Sequence, residues 1–317
     1  MKYLLHLPIA GPQATPESLG ALARKGEELG FDVLAASERL ILPRTVHSRY
    51  PYGVSGGFPG GEASQRTLEM LTVLAFLAGQ TSRVKLLTSV IVLPYRNPLL
   101  SAKMLATLDV LSGGRLIVGC GVGWMREEFL ALQVPTRFED RGAVSNEYIE
   151  GLKELWTSPD PSFQGKFLSF SDLEFTPKPA QTPHPPFWIG GESPAALRRV
   201  ARLADGWMPI AGNPRYPLES FQQLESAIQR LRVMVEEQGR DPNRVHIRFG
   251  GAWSFSETKT DGGRRQALTG SANQVAEDIH SYRKLGVSHL YMSLLGSNLQ
   301  ESLERMERFM TEVAPLV

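Results

Sequence analysis

"RVKLLTSVIVLPYRNPLLSAKMLATLDVLSGGRLIVGCGVG", residues 83–123, decides the fold of this 317-residue chain. Two apolar, β-branched runs, 83–94 and 114–123, flank a helical stretch over 97–112. Asn97 and Pro98 stand there as N-cap and first helical residue. An Asn side chain accepts a free N–H of the first turn, and Pro at that position forfeits no hydrogen bond. Strand, helix and strand in this order point to a parallel sheet.

The alternation repeats outward in both directions. Toward the amino end lie "YLLHLP" (3–8), a helix from Thr15-Pro16 to Gly30, "FDVLAAS" (31–37) and a helical stretch over 67–80. Toward the carboxyl end, helical patterns at 125–132 and 141–157 precede "PFWIGG" (186–191) and a helix over 194–204. Then come "GWMPIA" (206–211) with a helix near 216–239, "VHIRFGGAW" (245–253) with 272–286, and "HLYMSLL" (289–295) with 298–313. Eight strand–helix pairs exceed an open sheet and predict a closed (β/α)8 barrel, or TIM barrel, which takes about 250 residues before insertions. The excess falls after strands 2, 4 and 7, at 40–66, 158–185 and 254–271. The second insertion holds "FQGKFLSFSDLEF", which alternates like a small hairpin. No linker divides the chain, so residues 1–317 are expected to form one domain.

Composition bounds the function. With 34 basic and 33 acidic residues and a net charge of +1, nothing marks a nucleic-acid or membrane surface. Cys120 is the sole cysteine, which excludes an internal disulfide and suits a reducing, cytoplasmic setting. The apolar start "MKYLLHLPIAGPQ", broken by Pro8, is too short for a signal peptide or a membrane span. A small organic molecule is the expected partner.

In such a barrel the chemistry lies at the carboxyl ends of the strands. Gly190-Gly191 followed by Ser193-Pro194 is a strand that ends in glycines and opens a capped helix. Free amides and the helix dipole make that a phosphate seat, although loop geometry alone also produces the pattern. "GCGVGW" (119–124) has the same form, and its glycines let a flat ring lie against the backbone. Cys120 reads as a small core residue. The histidines His6, His47, His184, His246, His280 and His289 show no metal-ligand spacing. Only His6 falls near the carboxyl end of a strand. Lys2 and Lys85 sit at strand beginnings, which argues against Schiff-base chemistry. Glu38 and Glu192 both lie at strand ends, where a glycosidase pair is conceivable but expected by chance.

"TSVIVLPYRNP", "LDVLSGGRLIVGCGVGWMREEF" and "FWIGGESPAALRRVARLADGWMP" closely resemble the luciferase-like oxidoreductases, and within them the branch assigned to the deazaflavin coenzyme F420. The resemblance covers nearly the whole chain in order. It implies a (β/α)8 barrel that binds F420 or reduced FMN, often as a homodimer, and performs hydride transfer or oxygenation. Carried over by position, Ser89 and Val90 would back the ring, often through a non-prolyl cis peptide. Gly121, Val122, Gly123 and Trp124 would meet the ring or its ribityl chain. Gly190, Gly191, Glu192 and Ser193 would hold the phosphate. The chain departs from the pattern after strand two. Many relatives read Ser-Asp-His there, and this chain reads Ser37-Glu38-Arg39. The usual histidine proton donor is missing, which leaves Glu38, Arg39 or His6 as substitutes, or a relative that binds the cofactor without turning over. Arg39, Arg44, Arg49 and Arg66, in or beside the loop after strand two, would suit a polyanionic F420 tail or are simply solvated. The loops at 40–66 and 254–271 are the expected lid and substrate selectors.

Overall fold

Eight parallel strands close on themselves in the computed structural model, which describes residues 1–52, 67–254, 260–261 and 264–317. They are β1 (Lys2–His6), β2 (Val33–Ala36), β3 (Lys85–Thr88) and β4 (Leu116–Gly121). The second half supplies β5 (Phe187–Gly190), β6 (Gly206–Met208), β7 (His246–Ser254) and β8 (His289–Ser293). Each pairs in parallel with its sequence neighbours, β1 pairs with β8, and β3 meets β4 through Leu86↔Leu116 and Leu87↔Ile117. This is the (β/α)8 barrel that the alternation predicts. Closure leaves no unpaired barrel edge to attract another chain.

The helices outside the sheet are α1 (Pro16–Leu29), α2 (Met70–Ala78), α3 (Pro98–Leu111) and α4 (Arg141–Thr157). They continue as α5 (Pro194–Leu203), α6 (Phe221–Glu237), α7 (Ala272–Leu285) and α8 (Leu299–Arg308). A short helix, Arg126–Ala131, precedes α4. Because side chains alternate along a strand, the sheet serves two cores. Outward residues such as Leu5, Leu34, Leu86 and Val118 join the helices. Leu4, Val33, Ala35, Leu87, Ile117, Trp188 and Met208 fill the lumen. Cys120 is buried and belongs to the outer core, where burial pushes its thiol pKa well up and keeps it inert.

Several element ends follow from local chemistry. Asn97 Oδ1 accepts from the N–H groups of Leu99 and Leu100 at 2.9 and 3.2 Å and opens α3. Three expected elements differ. The run 83–94 is two strands: the chain leaves β3 at Thr88, turns through a cis Ser89–Val90 peptide, and Ile91–Val92 then pairs with Cys120–Gly121. The helix expected near 216 begins at Phe221, where Ser220 and Gln223 form a capping box. Pro217, just upstream, disfavours helical geometry in the residue before it. The last helix ends at Arg308 and widens into a π turn over Phe309–Val313.

The insertion after β4 and its helices carries the expected hairpin, Phe163–Gln164 against Ser169–Phe170. Gln181 N and Nε2 donate to the Asp109 carboxylate at 2.9 and 2.7 Å, beside the first residues of β4. This insertion therefore sits at the base of the barrel, away from the mouth. In the insertion after β7, Thr260–Asp261 pairs antiparallel with Arg264–Arg265.

Glu27 shows how the base is tied. From α1 its carboxylate accepts from the backbone N–H groups of Ser82, Arg83 and Val84, at 2.9, 2.6 and 2.9 Å, and so seats the start of β3. Burial pushes its pKa up, but the N–H groups of Val84, Arg83 and Ser82 outweigh that and hold it near 2, below the ordinary 4.5. A folded-state value below the unfolded one stabilises above pH 4.5, and the gain is lost as pH falls toward 2. Glu27→Gln should therefore unfold at lower urea than the parent at pH 7, and the gap should shrink on acidification. Superimposable urea curves at pH 7 would contradict this role.

Candidate active site

The carboxyl ends of the strands open into a cavity of about 980 Å3. That is at the upper end of the usual range for small-molecule sites. Glu38, Arg39, Ser89, Val90, Gly121, Val122, Gly123, Trp124, Gly190, Gly191, Glu192 and Ser193 all line it. The fold thus brings together residues from four separate strand ends.

The wall formed by β4 and β5 depends on missing side chains. A Cβ on Gly121 would fall 2.4 Å from Val90 Cγ2, so Val90 lies directly over that glycine. Gly191 has φ of +106°, a backbone that side-chain-bearing residues rarely adopt. It turns the chain from β5 into α5, where Ser193 Oγ caps the helix by accepting from Ala196 N at 3.2 Å. The first turn of α5 faces the cavity mouth through Gly191 and Ser193.

Buried carboxylates organise the rim. Glu128, on the short helix after β4, is 1% exposed and pairs with Arg39. It also accepts from Leu40 N at 2.9 Å, Ile41 N at 3.2 Å and the Tyr95 hydroxyl at 3.1 Å. Glu38 pairs with Arg96 at 2.6 Å and accepts from Val92 N at 2.7 Å. Arg96 in turn reaches Glu69, the N-cap of α2, at 2.7 Å. Burial pushes Glu38 up to about 7, against the pull of Arg96 and the Val92 N–H. Glu192 accepts from Ile210 N at 2.9 Å, Asn213 Nδ2 at 2.8 Å and the Tyr52 hydroxyl at 3.3 Å. Burial raises its pKa too. With three donors on its oxygens, Glu192 fixes the loops around the turn from β5 into α5 and is poorly suited to touch an anion. Neither Glu38 nor Glu192 is the unencumbered carboxylate that glycoside chemistry requires.

The loop after β2 crosses the mouth. His47 N and Ser48 N donate to Glu127 at 2.7 and 3.0 Å, and Tyr50 meets Trp124 edge-on at 5.2 Å. The Arg39 guanidinium lies 5.5 Å from the Trp124 ring centre. Arg49 lines the cavity, Arg44 is exposed, and Arg66 lies outside the described residues.

His6 is set apart in the lumen, with its ring 5.6 Å from that of Tyr291. Burial and then the nearby Arg248 charge lower its pKa to about 4. At neutral pH it is an uncharged imidazole that can accept a proton but holds no extra one to give. His246 and His289 begin β7 and β8, and Lys2 and Lys85 begin β1 and β3, all at the opposite end of the barrel. Among the described residues no cluster of His, Cys, Asp or Glu could hold a metal ion, and no helix is long and apolar enough to cross a membrane.

Sequence reasoning missed Glu128, Arg96, Tyr52 and Arg248. Glu128 had a signal, since "MREEF" follows the glycine-rich strand end directly. Arg96 reaches Glu38 from 58 residues away, and no local pattern announces that.

A parallel barrel with a large cavity at the strand ends, lined by glycines and covered by aromatic loops, is the architecture of a small-molecule enzyme. The chain belongs to the luciferase-like monooxygenase family, whose profile matches residues 3–261. An FMNH2-dependent dimethylsulfone monooxygenase of Pseudomonas putida is 28% identical over 308 residues, covering 82% of this chain and 81% of that protein. A monooxygenase from Streptomyces bottropensis shares the fold at TM-score 0.77 with 23% identity, over 99% of both chains. A coenzyme F420 dependent tetrahydromethanopterin reductase from Methanopyrus kandleri does so at 0.74 with 17% identity, over 99% of this chain and 98% of that one. The chain is thus similar in sequence to an FMNH2-dependent enzyme and in fold to an F420-dependent one.

The Arg39–Glu128 pair yields a test of how the rim is held. Removing one partner of a buried pair strands the other charge, at a cost of roughly 3–5 kcal/mol when burial is complete. Arg39 is 12% exposed and regains some water, so Glu128→Ala should cost about 3 kcal/mol in urea unfolding. A loss below about 1 kcal/mol, the level of a surface pair, would show that the rim does not depend on it.

Proposed function

We propose that the protein is an oxidoreductase that transfers a hydride between coenzyme F420 and a small organic substrate. The observation that carries this reading is the convergence, within one cavity, of the Val90 face packed over Gly121 and Gly190 with the Gly191 turn before the capped α5. A flat ring fits against the first part and a phosphate against the second. Arg49 and Arg215 also line the cavity and offer cations to a polyanionic tail. Arg39 is a weaker candidate for that task, because Glu128 already neutralises it. When bound, the cofactor supplies or takes up the hydride.

The chain's own contribution is to seat, enclose and protonate. Tyr50 and Trp124 shield the mouth from water, and Gly191 with Ser193 fixes the phosphate. Glu38 is our proton donor among Glu38, Arg39 and His6. A guanidinium such as that of Arg39 makes a poor proton donor, and His6 is neutral above about pH 4. Only Glu38 changes protonation near 7. A positioned acid is worth roughly 10²–10⁴-fold.

A second reading, a reduced-FMN monooxygenase, is favoured by the FMNH2-dependent relative that spans 82% of the chain. Titrating the purified protein with F420 and with FMN separates the two. Tighter F420 binding is expected, and tighter FMN binding with oxygen uptake on reduction would select the monooxygenase. Gly191→Ala should weaken binding of either cofactor, since it strains the turn at the phosphate seat. With a substrate in hand, turnover should fall as pH rises through about 7, where Glu38 loses its proton. Glu38→Gln should cut turnover by the factor above and flatten that limb. Unchanged turnover would make Glu38 a purely structural anchor.

We also propose a homodimer. Phe76 on α2 and Leu100 and Leu111 on α3 are 42%, 55% and 64% exposed, and positions 100 and 111 fall on one helical face. Sedimentation of the parent and of Leu111→Glu tests this: a dimer that the substitution dissociates supports it, and a monomeric parent refutes it.

A further inference from the structure

Arg248 on β7 is 2% exposed and lines the cavity. Alternation along β7 sends Ile247 and Phe249 to the outer core, so Arg248 points into the lumen. Its Nε is buried without a hydrogen-bond partner, and among the described residues the guanidinium makes no ion pair or hydrogen bond. The Tyr291 ring lies against it, with its centroid 4.7 Å from Cζ. Among the described residues the titratable groups that interact with it are His6, Tyr52, Tyr291 and His289, none of them a carboxylate. By contrast Arg39, which lines the cavity, and Arg96, behind Glu38, have comparably buried heads and each has its own glutamate. A buried cation lacking a counter-charge is costly. Such a group calls for an acceptor from outside the chain.

We infer that Arg248 is the specificity-determining residue of the cavity and that the organic substrate carries a carboxylate, which this guanidinium takes as its counter-ion. The guanidinium fork matches a carboxylate with two parallel N–H···O bonds, and a neutral carbonyl offers it a single, uncharged acceptor. Met208, Ile210 and Val90 line the same cavity and suit the apolar body of such an acid. Arg248 remains a cation at neutral pH, because burial lowers its pKa only to about 10. This inference rests on the reading of the cavity as the site of an oxidoreductase, and it names the class of that site's second ligand.

The test is calorimetric titration of cofactor-free protein with phenylacetate and octanoate, each against its neutral amide. Wild-type protein should prefer the acids by roughly 10- to 100-fold, the value of hydrogen bonds to a charged group. Arg248→Met should abolish the preference while binding F420 or FMN normally, and Arg248→Lys should restore part of it. The ligand-free Met variant should melt no lower than wild type, since an uncompensated buried charge has been removed. Equal binding of acid and amide by wild type overturns the inference, even if the Met variant fails to fold. Loss of cofactor affinity in a folded Arg248→Met also overturns it, by making Arg248 a cofactor ligand. If wild type binds neither cofactor yet keeps an Arg248-dependent preference for acids, the oxidoreductase reading fails and the carboxylate site stands.

Discussion

Three buried carboxylates hold the mouth of the barrel: Glu38, Glu128 and Glu192. Below them the strands need no such help, because a closed parallel sheet satisfies its own backbone. Above the last ladder bond the loops have no regular partner, and their amides would be left bare. Each glutamate gathers donors from other segments. Glu128 collects the start of the loop after β2, Glu38 collects the turn after β3, and Glu192 collects the loop after β6. Desolvating a carboxylate is expensive, and it is tolerable here because every oxygen has a donor.

That arrangement sorts the arginines as well. Arg39 lines the mouth and Arg96 stands behind Glu38, but both are spoken for, and so contribute rigidity more than attraction for ligands. The positive charge that the cavity presents comes from elsewhere, from Arg49 and Arg215 along its lining and Arg248 in the lumen. One cavity therefore has a wall of Val90 over glycines, where we propose that a ring and phosphate sit, aromatic cover from Tyr50 and Trp124, and a separate cationic spot. This division suits two ligands held side by side, as any transfer between a cofactor and a substrate requires.

The barrel was legible because its cause is local and repeated. Period-two and period-3.6 patterns, an Asn-Pro or Ser-Pro at helix starts and a Gly at a helix end all act within a few residues. Eight repeats leave little choice of closure. The cavity lining was legible for a related reason: in a barrel, strand ends converge, so a list of residues at strand ends is a list of neighbours. Glycines there, at 121 and 190–191, mark where backbone must come close to something.

Pairing was not legible. Glu38 and Arg39 are adjacent in sequence, and each ion-pairs with a residue far away, Arg96 and Glu128. Successive residues leave the chain in different directions, so adjacency says little about contact. The break of the 83–94 run at Ser89–Val90 was also invisible to periodicity, since the apolar pattern continues across the turn. The protonation states of His6 and Glu38 depend on burial and on the charges around them, and Arg248 has no counter-charge among the described residues because of what the fold places beside it. Sequence by itself determined the architecture and the ring of candidate residues, through patterns that act over a few residues. Tertiary structure alone decided which charges are neutralised and which are left to meet a ligand, because electrostatics depends on distance in space and on excluded water.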